Sequence, residues 1–413
     1  MKCRSCSAPL TTTFVDLGSH PSANRLIDPA KADQPEPKFA LHVFVCDACL
    51  LVQIPHNHAA DDIFTEDYVY YASISKGWVA HAKSYVDKVA DRFALNDQSF
   101  MVEVASNDGY LLQHAVARSI PCLGIDPAAG CADVAKAKGV KTHVGFFDKQ
   151  TAELVAEERG KADLICANNV FAHVPDINGF AASFRVLLKP EGVLTLEFPH
   201  VQRLIAGKQF DTIYDEHYSY FSLKSAQAIL QRQGLRVFDV EELPTHGGSL
   251  RLYVCHVDSP AHPSQESVGQ VLAREQGCGL HTVSGYGGFQ AEVDTITQSF
   301  TAFLADEKKA GRTVCGFGAA AKGNTFLNAC GAGPETLMFV CDDTVAKQGK
   351  LLPGSHIPVV PSNRLATDKP DTVVILPWNI APEVMRNYPG VFEVGGRFVT
   401  CIPELRVFDR PAS

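Results

Sequence analysis

The alternation of short apolar stretches with helical ones, which sets in at about Phe100, constrains the fold of this chain more than any other feature. M-V-E-V-A (101–105) precedes a helix from about Tyr110, P-C-L-G-I-D (121–126) precedes another, and V-K-T-H-V (140–144) follows. Then come D-L-I-C-A-N-N (163–169), a helix from about Asp176, a K-P-E-G turn (189–192) and V-L-T-L-E-F (193–198). Such a β-α-β series predicts a mostly parallel, doubly wound sheet with its ligand across the carboxyl ends of the strands. A helix over 222–234, capped by Ser222 and stopped by Gly234, leads to two half-buried strands at 235–241 and 249–256. The Gly-, Pro- and Ser-rich interval from Asp258 to about Gly288 reads as a linker. After a helical run from Phe289 to about Ala310, a second α/β unit is expected on 313–324, 337–343 and 371–377.

A chain of 413 residues exceeds one average domain, and 46% hydrophobic with 20% charged residues is ordinary for compact globular units. The expected division is a metal-binding module over 1–75, a central α/β domain over 76–258, a linker and helix over 259–310, and a C-terminal α/β domain over 311–413. A formal charge of -9 without a basic block disfavours nucleic acid as a partner and favours a small molecule. M-K-C-R-S-C lacks the apolar core of a signal peptide, and no run approaches the ~20 apolar residues of a membrane span. A cytoplasmic monomer or small homo-oligomer with no membrane partner is expected.

The chain has thirteen cysteines, an odd number, and most of them, like Cys166, sit in apolar strands as reduced core residues. Cys3-x-x-Cys6 and Cys46-x-x-Cys49 differ: each pair presents two thiolates to one metal while the amides of its turn face the sulfurs. Tetrahedral Zn²⁺ fits that set, and four thiolates with no open position make the zinc structural. The alternative is a pair of disulfides.

The loop after the first strand, Glu103-Val104-Ala105-Ser106-Asn107-Asp108-Gly109, has small residues at the turn and an acid on the strand. Asp126 ends the second strand, where a carboxylate accepts both hydroxyls of a ribose. A pyrophosphate loop prefers three spaced glycines and no acid, so a nicotinamide cofactor is the weaker reading; Glu103 suits a ligand with a cationic amino-acid part. This is the pattern of class I methyltransferases that bind S-adenosylmethionine. The candidate cofactor residues are therefore Glu103, Ala105, Ser106, Asn107, Gly109 and Asp126, with Asn168 and Asn169 after the fourth strand.

I-Y-D-E-H-Y-S-Y-F-S (213–222) concentrates proton-transfer groups in one place, where the plainer reading is a solvated loop. With Cys3/Cys6/Cys46/Cys49, Y-V-Y-Y-A-S-I-S (68–75), E-V-A-S-N-D-G-Y-L-L (103–112), F-A-H-V-P-D (171–176), G-G-S-L-R (247–251) and G-F-G-A-A-A-K-G-N (316–324), the chain resembles the sugar C-methyltransferases that act on nucleotide-linked 4-keto deoxysugars. In that family Ala105 is a common variant of the loop glycine. The resemblance covers nearly the full chain. It implies a zinc module, a class I methyltransferase domain and a smaller Rossmann-like C-terminal domain, with a nucleotide-diphosphate sugar held between the last two. It further implies that a base removes the proton beside the ketone and that the enolate carbon, carbon 3, takes the methyl group.

By position His217 resembles that base, with Glu216 and Tyr214 as companions and His173 and Tyr68 or Tyr71 as further active-site groups. The chemistry agrees, since a base poised near neutral pH and hydroxyl donors for an oxyanion are what enolate formation needs. In the C-terminal unit Gly318, Lys322 and Asn324 at a strand-to-helix turn are candidate phosphate and substrate residues, with Arg251 as another. The same glycine spacing resembles a dinucleotide loop, with Asp342 and Asp343 where ribose contacts would fall; packing glycines are the plainer reading. Competing functions are an O- or N-methyltransferase for a small metabolite, and a zinc-knuckle ligand-binding protein without catalysis.

Overall fold

The computed structural model describes residues 1–54 and 71–409. The chain divides into two compact units that are not contiguous in sequence: one comprises Met1–Leu10, Cys46–His200 and Tyr218–Gly285, the other Thr11–Val45, Val201–His217 and Tyr286–Ser413.

The first unit is built on seven strands, β1 (Met101–Val104), β2 (Cys122–Asp126), β3 (Thr142–Val144), β4 (Ala162–Asn168), β5 (Leu188–Pro199), β6 (Leu235–Leu243) and β7 (Ser249–His256). Their spatial order is β6-β7-β5-β4-β1-β2-β3. Strands β1 to β5 pair in parallel, whereas β7 runs antiparallel to both β5 and β6. Chain order reverses between β1 and β4, and a doubly wound sheet opens its ligand crevice at that switch point. The doubly wound, mostly parallel sheet is what the alternation from Phe100 predicts, and its arrangement is that of class I methyltransferases.

Both faces of the sheet are covered. On one, α1 (Lys76–Arg92), α2 (Leu112–Ala117) and α3 (Ala129–Ala137) bury Val86, Val89, Leu112 and Ala135 against Met101, Leu164, Cys166 and Val193. The opposite face packs Phe198 of β5 with Phe171 and Phe221, and Phe171 with Phe180 of α5 (Ile177–Leu187), the helix after α4 (Lys149–Arg159). Short polar caps set where the helices start. Ser75 Oγ accepts the Trp78 N–H at 3.2 Å and Asp176 Oδ1 the Gly179 N–H at 2.9 Å. At α6 (Leu223–Arg232) Ser222 and Ser225 cap one another reciprocally, at 3.0 and 3.1 Å.

Two sequence expectations fail here. The K-P-E-G stretch at 189–192 is not a turn: β5 begins at Leu188, and Pro190 and Gly192 lie where the pairing with β4 shifts register between Ala162 and Leu164. Nor is 258–288 all linker, because Glu266–Gly277 is a helix, α7. Its Glu275 is fully buried and accepts the Leu223 N–H at 2.5 Å, the Lys224 N–H at 3.1 Å and the His200 Nε2–H at 2.8 Å, so it closes the open amides at the start of α6.

The second unit carries a six-stranded sheet: β8 (Val314–Phe317), β9 (Val340–Cys341), β10 (Val359–Val360), β11 (Thr372–Ile375), β12 (Arg397–Thr400) and β13 (Arg406–Phe408), in the order β10-β9-β8-β11-β12-β13. All pairings are parallel except the last. Helices α8 (Phe289–Lys309) and α9 (Ala321–Ala329) belong to it, as does an antiparallel pair of strands, Thr12–Pro21 and Lys38–Val45. Phe14 of that pair stacks on Phe289 at 4.7 Å. No helix of the described residues is long and apolar enough to cross a membrane.

Candidate active site

At the switch point of the first sheet the loop after β1 turns sharply. Ala105 and Asn107 both adopt left-handed backbone, φ +59° and +48°, and the Ala105 N–H bonds the Ile125 carbonyl at 2.8 Å. Gly109 is required as glycine: its φ is +75°, and a Cβ there would lie 3.1 Å from the Ala135 Cβ. Asp126, at the end of β2, accepts the Asn107 N–H at 2.8 Å and the Ala128 N–H at 2.9 Å. Each carboxylate oxygen keeps further acceptor capacity for a ribose hydroxyl.

Glu103, Asp108 and Asp126 bring three carboxylates to one turn, all buried. Burial, then the charges of Asp126 and Asp108, push Glu103 well above the usual carboxylate range, against a hydrogen bond from Tyr110. Burial likewise raises Asp126, against the two amides it accepts. Lys138 answers Asp108 at 3.0 Å. Around this cluster, Glu103 Oε2, Ser106 Oγ, Asn168 Oδ1 and both side-chain polar atoms of Asn169 are buried without a protein partner. Buried polar atoms rarely stay unpaired, so this arrangement is prepared for a polar ligand. The cluster favours one carrying positive charge, and S-adenosylmethionine, with its ammonium and sulfonium, fits; a cofactor with two anionic phosphates does not.

The motif at 71–75 is tied to this loop. Asn107 Oδ1 accepts the Ala72 N–H at 2.9 Å and Asp108 accepts the Ser73 hydroxyl. The Tyr71 hydroxyl lies 3.9 Å from where a Gly130 Cβ would stand, beside the turn that follows Asp126. Tyr68 lies outside the described residues. His173 is half-buried in the turn Phe171–His173, after β4. Asp108, Lys138 and Ser73 were not identified from sequence; only the unusual acid inside the glycine-poor loop pointed to them.

We expect Asp126→Ala to weaken S-adenosylmethionine binding about 10- to 100-fold, the worth of charge-assisted hydrogen bonds lost from a buried carboxylate. Calorimetry measures this directly. Binding of NAD with no binding of the sulfonium ligand would contradict the assignment.

The four knuckle cysteines come together in the same unit. Cys3 and Cys49 Sγ are 3.6 Å apart, Cys6 and Cys46 Sγ 3.5 Å, and all four lie within 4.8 Å of one another. A tetrahedral ion with Zn–S bonds of about 2.3 Å needs sulfurs about 3.8 Å apart, so the set fits zinc. The two turns are built alike. Ser7 N–H bonds Cys3 O, Leu50 N–H bonds Cys46 O, each at 2.9 Å, and both Ser7 and Leu50 are left-handed. Gln53 Nε2–H donates to Cys3 Sγ at 3.1 Å, and Asn178 of α5 holds the Arg4 and Ser5 carbonyls at 3.1 and 3.0 Å.

In the second unit, Tyr214, Asp215, Glu216 and His217 form a turn whose side chains point to different partners. His217 Nδ1–H donates to the Thr212 carbonyl at 2.9 Å. A carbonyl only accepts, so Nε2 holds the free electron pair, and it receives the Tyr214 hydroxyl at 2.7 Å. Ala23 N–H donates to Asp215 Oδ1 at 3.0 Å, and Asn24 Nδ2–H to both oxygens of Glu216 at 3.0 and 3.1 Å. Burial and the Asp215 charge raise Glu216 to about 7, the Asn24 bond acting the other way.

Lys322, at the start of α9, is half-buried and bonded to Asn379, 5.0 Å from the Trp378 ring centroid. Burial lowers its pKa and the Asp211 charge raises it; Asp211, itself lifted to about 6 by burial, accepts the Trp378 Nε1–H at 2.8 Å. Asn324 is buried and turned to Asn328, whose Nδ2–H reaches its Oδ1 at 3.3 Å. Gly318 has no room for a side chain: φ is +91° and a Cβ would meet Pro377 at 2.5 Å. Asp342 accepts the Ala319 N–H at 2.8 Å and Asp343 the Tyr388 hydroxyl, so both carboxylates serve the local loops.

Arg251 is placed inside the first unit. It is 2% exposed, bonds Glu197 at 2.5 Å and Glu241 at 3.2 Å, and lies over the Tyr85 ring at 4.5 Å. Its charge is answered by two carboxylates within the same sheet. Asn24 and Asp211 were missed in the sequence. Asn24 follows a strand end in S-A-N without periodicity, and Asp211 stands two residues before the stretch that attracted notice.

Three family models match: a zinc binding domain over residues 3–64, a methyltransferase domain over 78–240 and a C-methyltransferase C-terminal domain over 244–403. The chain is 35% identical to the C-methyltransferase NovU of Streptomyces niveus over 406 residues, 98% of this chain and 96% of that one. A ubiquinone biosynthesis O-methyltransferase of Bartonella tribocorum matches over 24% of this chain and 40% of its own length at 28% identity. Magnesium protoporphyrin IX methyltransferase of Synechocystis, solved with bound SAH, covers 44% of this chain and 84% of its own at 16% identity and a TM-score of 0.35.

Proposed function

We propose, from the premise that this chain belongs to the family of S-adenosylmethionine-dependent C-methyltransferases, that it methylates carbon 3 of a nucleotide-linked 4-keto deoxysugar through an enolate. The observation that carries this reading is the Tyr214–His217 pair, in which a backbone carbonyl fixes the histidine tautomer so that Nε2 is the basic atom. A methyl acceptor on oxygen or nitrogen has its own lone pair, whereas a carbon acceptor must first lose a proton.

In the proposed step, the bond from carbon 3 to hydrogen breaks, the proton passes to His217 Nε2, and the electron pair is delocalised onto the ketone oxygen. Tyr214, released from Nε2 as that nitrogen is protonated, donates its hydroxyl to the developing oxyanion. Glu216, Tyr71 and His173 are the further groups we assign to the reaction. Bound S-adenosylmethionine supplies an activated methyl group; Glu103, Asp126, Asn168 and Asn169 bind and orient it, so alignment is what the protein adds. We assign Lys322 to the diphosphate, since a half-buried ammonium whose only carboxylate neighbour among the named groups is Asp211 can exchange Asn379 for a phosphate oxygen. Zinc, held by Cys3, Cys6, Cys46 and Cys49, is structural in this scheme, and the reaction is placed in the cytoplasm, where thiols stay reduced.

The test is product analysis with donor carrying a carbon-13 methyl group. We expect the label bonded to the ring carbon beside the ketone; a label on oxygen or nitrogen would discard the enolate.

A further inference from the structure

Glu216 is 5% exposed, yet the group that holds its carboxylate comes from far away in sequence. Asn24, in the loop that follows the strand Thr12–Pro21, donates its carboxamide N–H to both carboxylate oxygens, at 3.0 and 3.1 Å, while the preceding residue gives its backbone N–H to Asp215 at 3.0 Å. Two consecutive residues of this loop therefore hold two consecutive carboxylates of the proton-transfer segment. Asn24 is exposed while the residue it bonds is buried, so its carboxamide joins Glu216 to the surface.

We infer that Asn24 is a positioning residue: its carboxamide fixes the orientation of the Glu216 carboxylate and favours the charged form. An amide that donates to both oxygens recognises a carboxylate, not a carboxylic acid, one of whose oxygens is itself a donor. Among the groups around Glu216, Asp215 of the same turn opposes ionisation by its charge, His217 follows with its ring turned to Tyr214 and Thr212, and Asn24 is the polar group that favours ionisation. Burial and the Asp215 charge raise the acid while the Asn24 bond lowers it, and the balance of the three sets it at about 7. The inference rests on Glu216 serving the reaction proposed above.

Two variants of the full-length protein test it, Asn24→Ala and the isosteric Asn24→Asp, with Glu216→Gln to assign the signal. The first readout is the protonated-carboxyl band in pH-difference infrared spectra, which needs no turnover. Loss of the donor should move the Glu216 titration up by about one pH unit, the worth of a charge-assisted hydrogen bond, and Asn24→Asp, which adds a like charge, should move it at least as far. A merely structural role predicts the opposite, because opening Glu216 to water removes the desolvation that raises it. A titration that falls or stays in place in both variants overturns the inference. The second readout is the acid limb of kcat against pH, which should move with the infrared titration. If the band moves and the limb does not, Asn24 still governs Glu216, and it is the place of Glu216 in the proposed reaction that fails.

Discussion

His217→Ala is expected to lower methyl transfer by about 10²–10⁴-fold, the usual worth of a positioned general base, while both ligands still bind. The ring makes two hydrogen bonds inside its own turn, to Thr212 O and from Tyr214, and the cofactor groups lie on other strands. Affinity for S-adenosylmethionine should therefore stay within about twofold, as it does for sites that share no partner. Tyr214→Phe should cost less, about 10²–10³ at most, because it removes one oxyanion donor and leaves the base. Calorimetry for each ligand, alongside steady-state rates, separates the two effects. A His217→Ala enzyme that turns over at the wild-type rate would move the base to another residue, with His173 or Tyr71 next.

The second large effect concerns the metal. Purified protein should carry about one zinc per chain, and Cys46→Ser or a strong chelator should unfold the knuckle, since four-thiolate sites supply folding free energy on the order of 10 kcal/mol in isolated zinc modules. The loss should spread, because Asn178 of α5 grips the Arg4 and Ser5 carbonyls within the knuckle and Gln53 reaches Cys3. Elemental analysis and thermal denaturation would read zinc content and stability together. Protein without zinc, with these cysteines recovered as disulfides, would contradict the assignment.

Local pattern carried what was legible in the sequence. The parallel strands β1, β2, β4 and β5 are apolar runs buried on both faces, which marks them without an alignment. The knuckles and the Ser222 cap follow from spacing and residue type alone. Helix α7 was not legible, because the Gly, Pro and Ser on either side of it mark the whole interval as a linker, and what holds it is tertiary: Val271 and Glu275 are buried, the latter against the amides of α6. The start of β5 was hidden for a similar reason, since Pro190 and Gly192 read as a turn until a neighbouring strand fixes them.

Partners separated in sequence were the hardest to see. Glu216 was visible as an acid beside a histidine, but nothing in Y-D-E-H says that Asn24 holds it, almost two hundred positions away. In the same way Arg251 looked available because G-G-S-L-R gives no hint of Glu197 waiting on β5. The tie between Asp108 and Ser73 likewise joins two motifs that read as separate, and it is the fold that brings the 71–75 segment to the cofactor loop.

The central claim is that Tyr214 and His217 make an enolate before any methyl group moves. Wild-type enzyme in deuterated water, given a nucleotide-linked 4-keto sugar and the demethylated cofactor in place of the donor, isolates that step, and proton NMR of the recovered sugar reads it. The account predicts exchange of the hydrogen beside the ketone with wild-type enzyme and none above background with His217→Ala. Absence of exchange in wild type under conditions where the sugar is bound, or equal exchange in the variant, would contradict it.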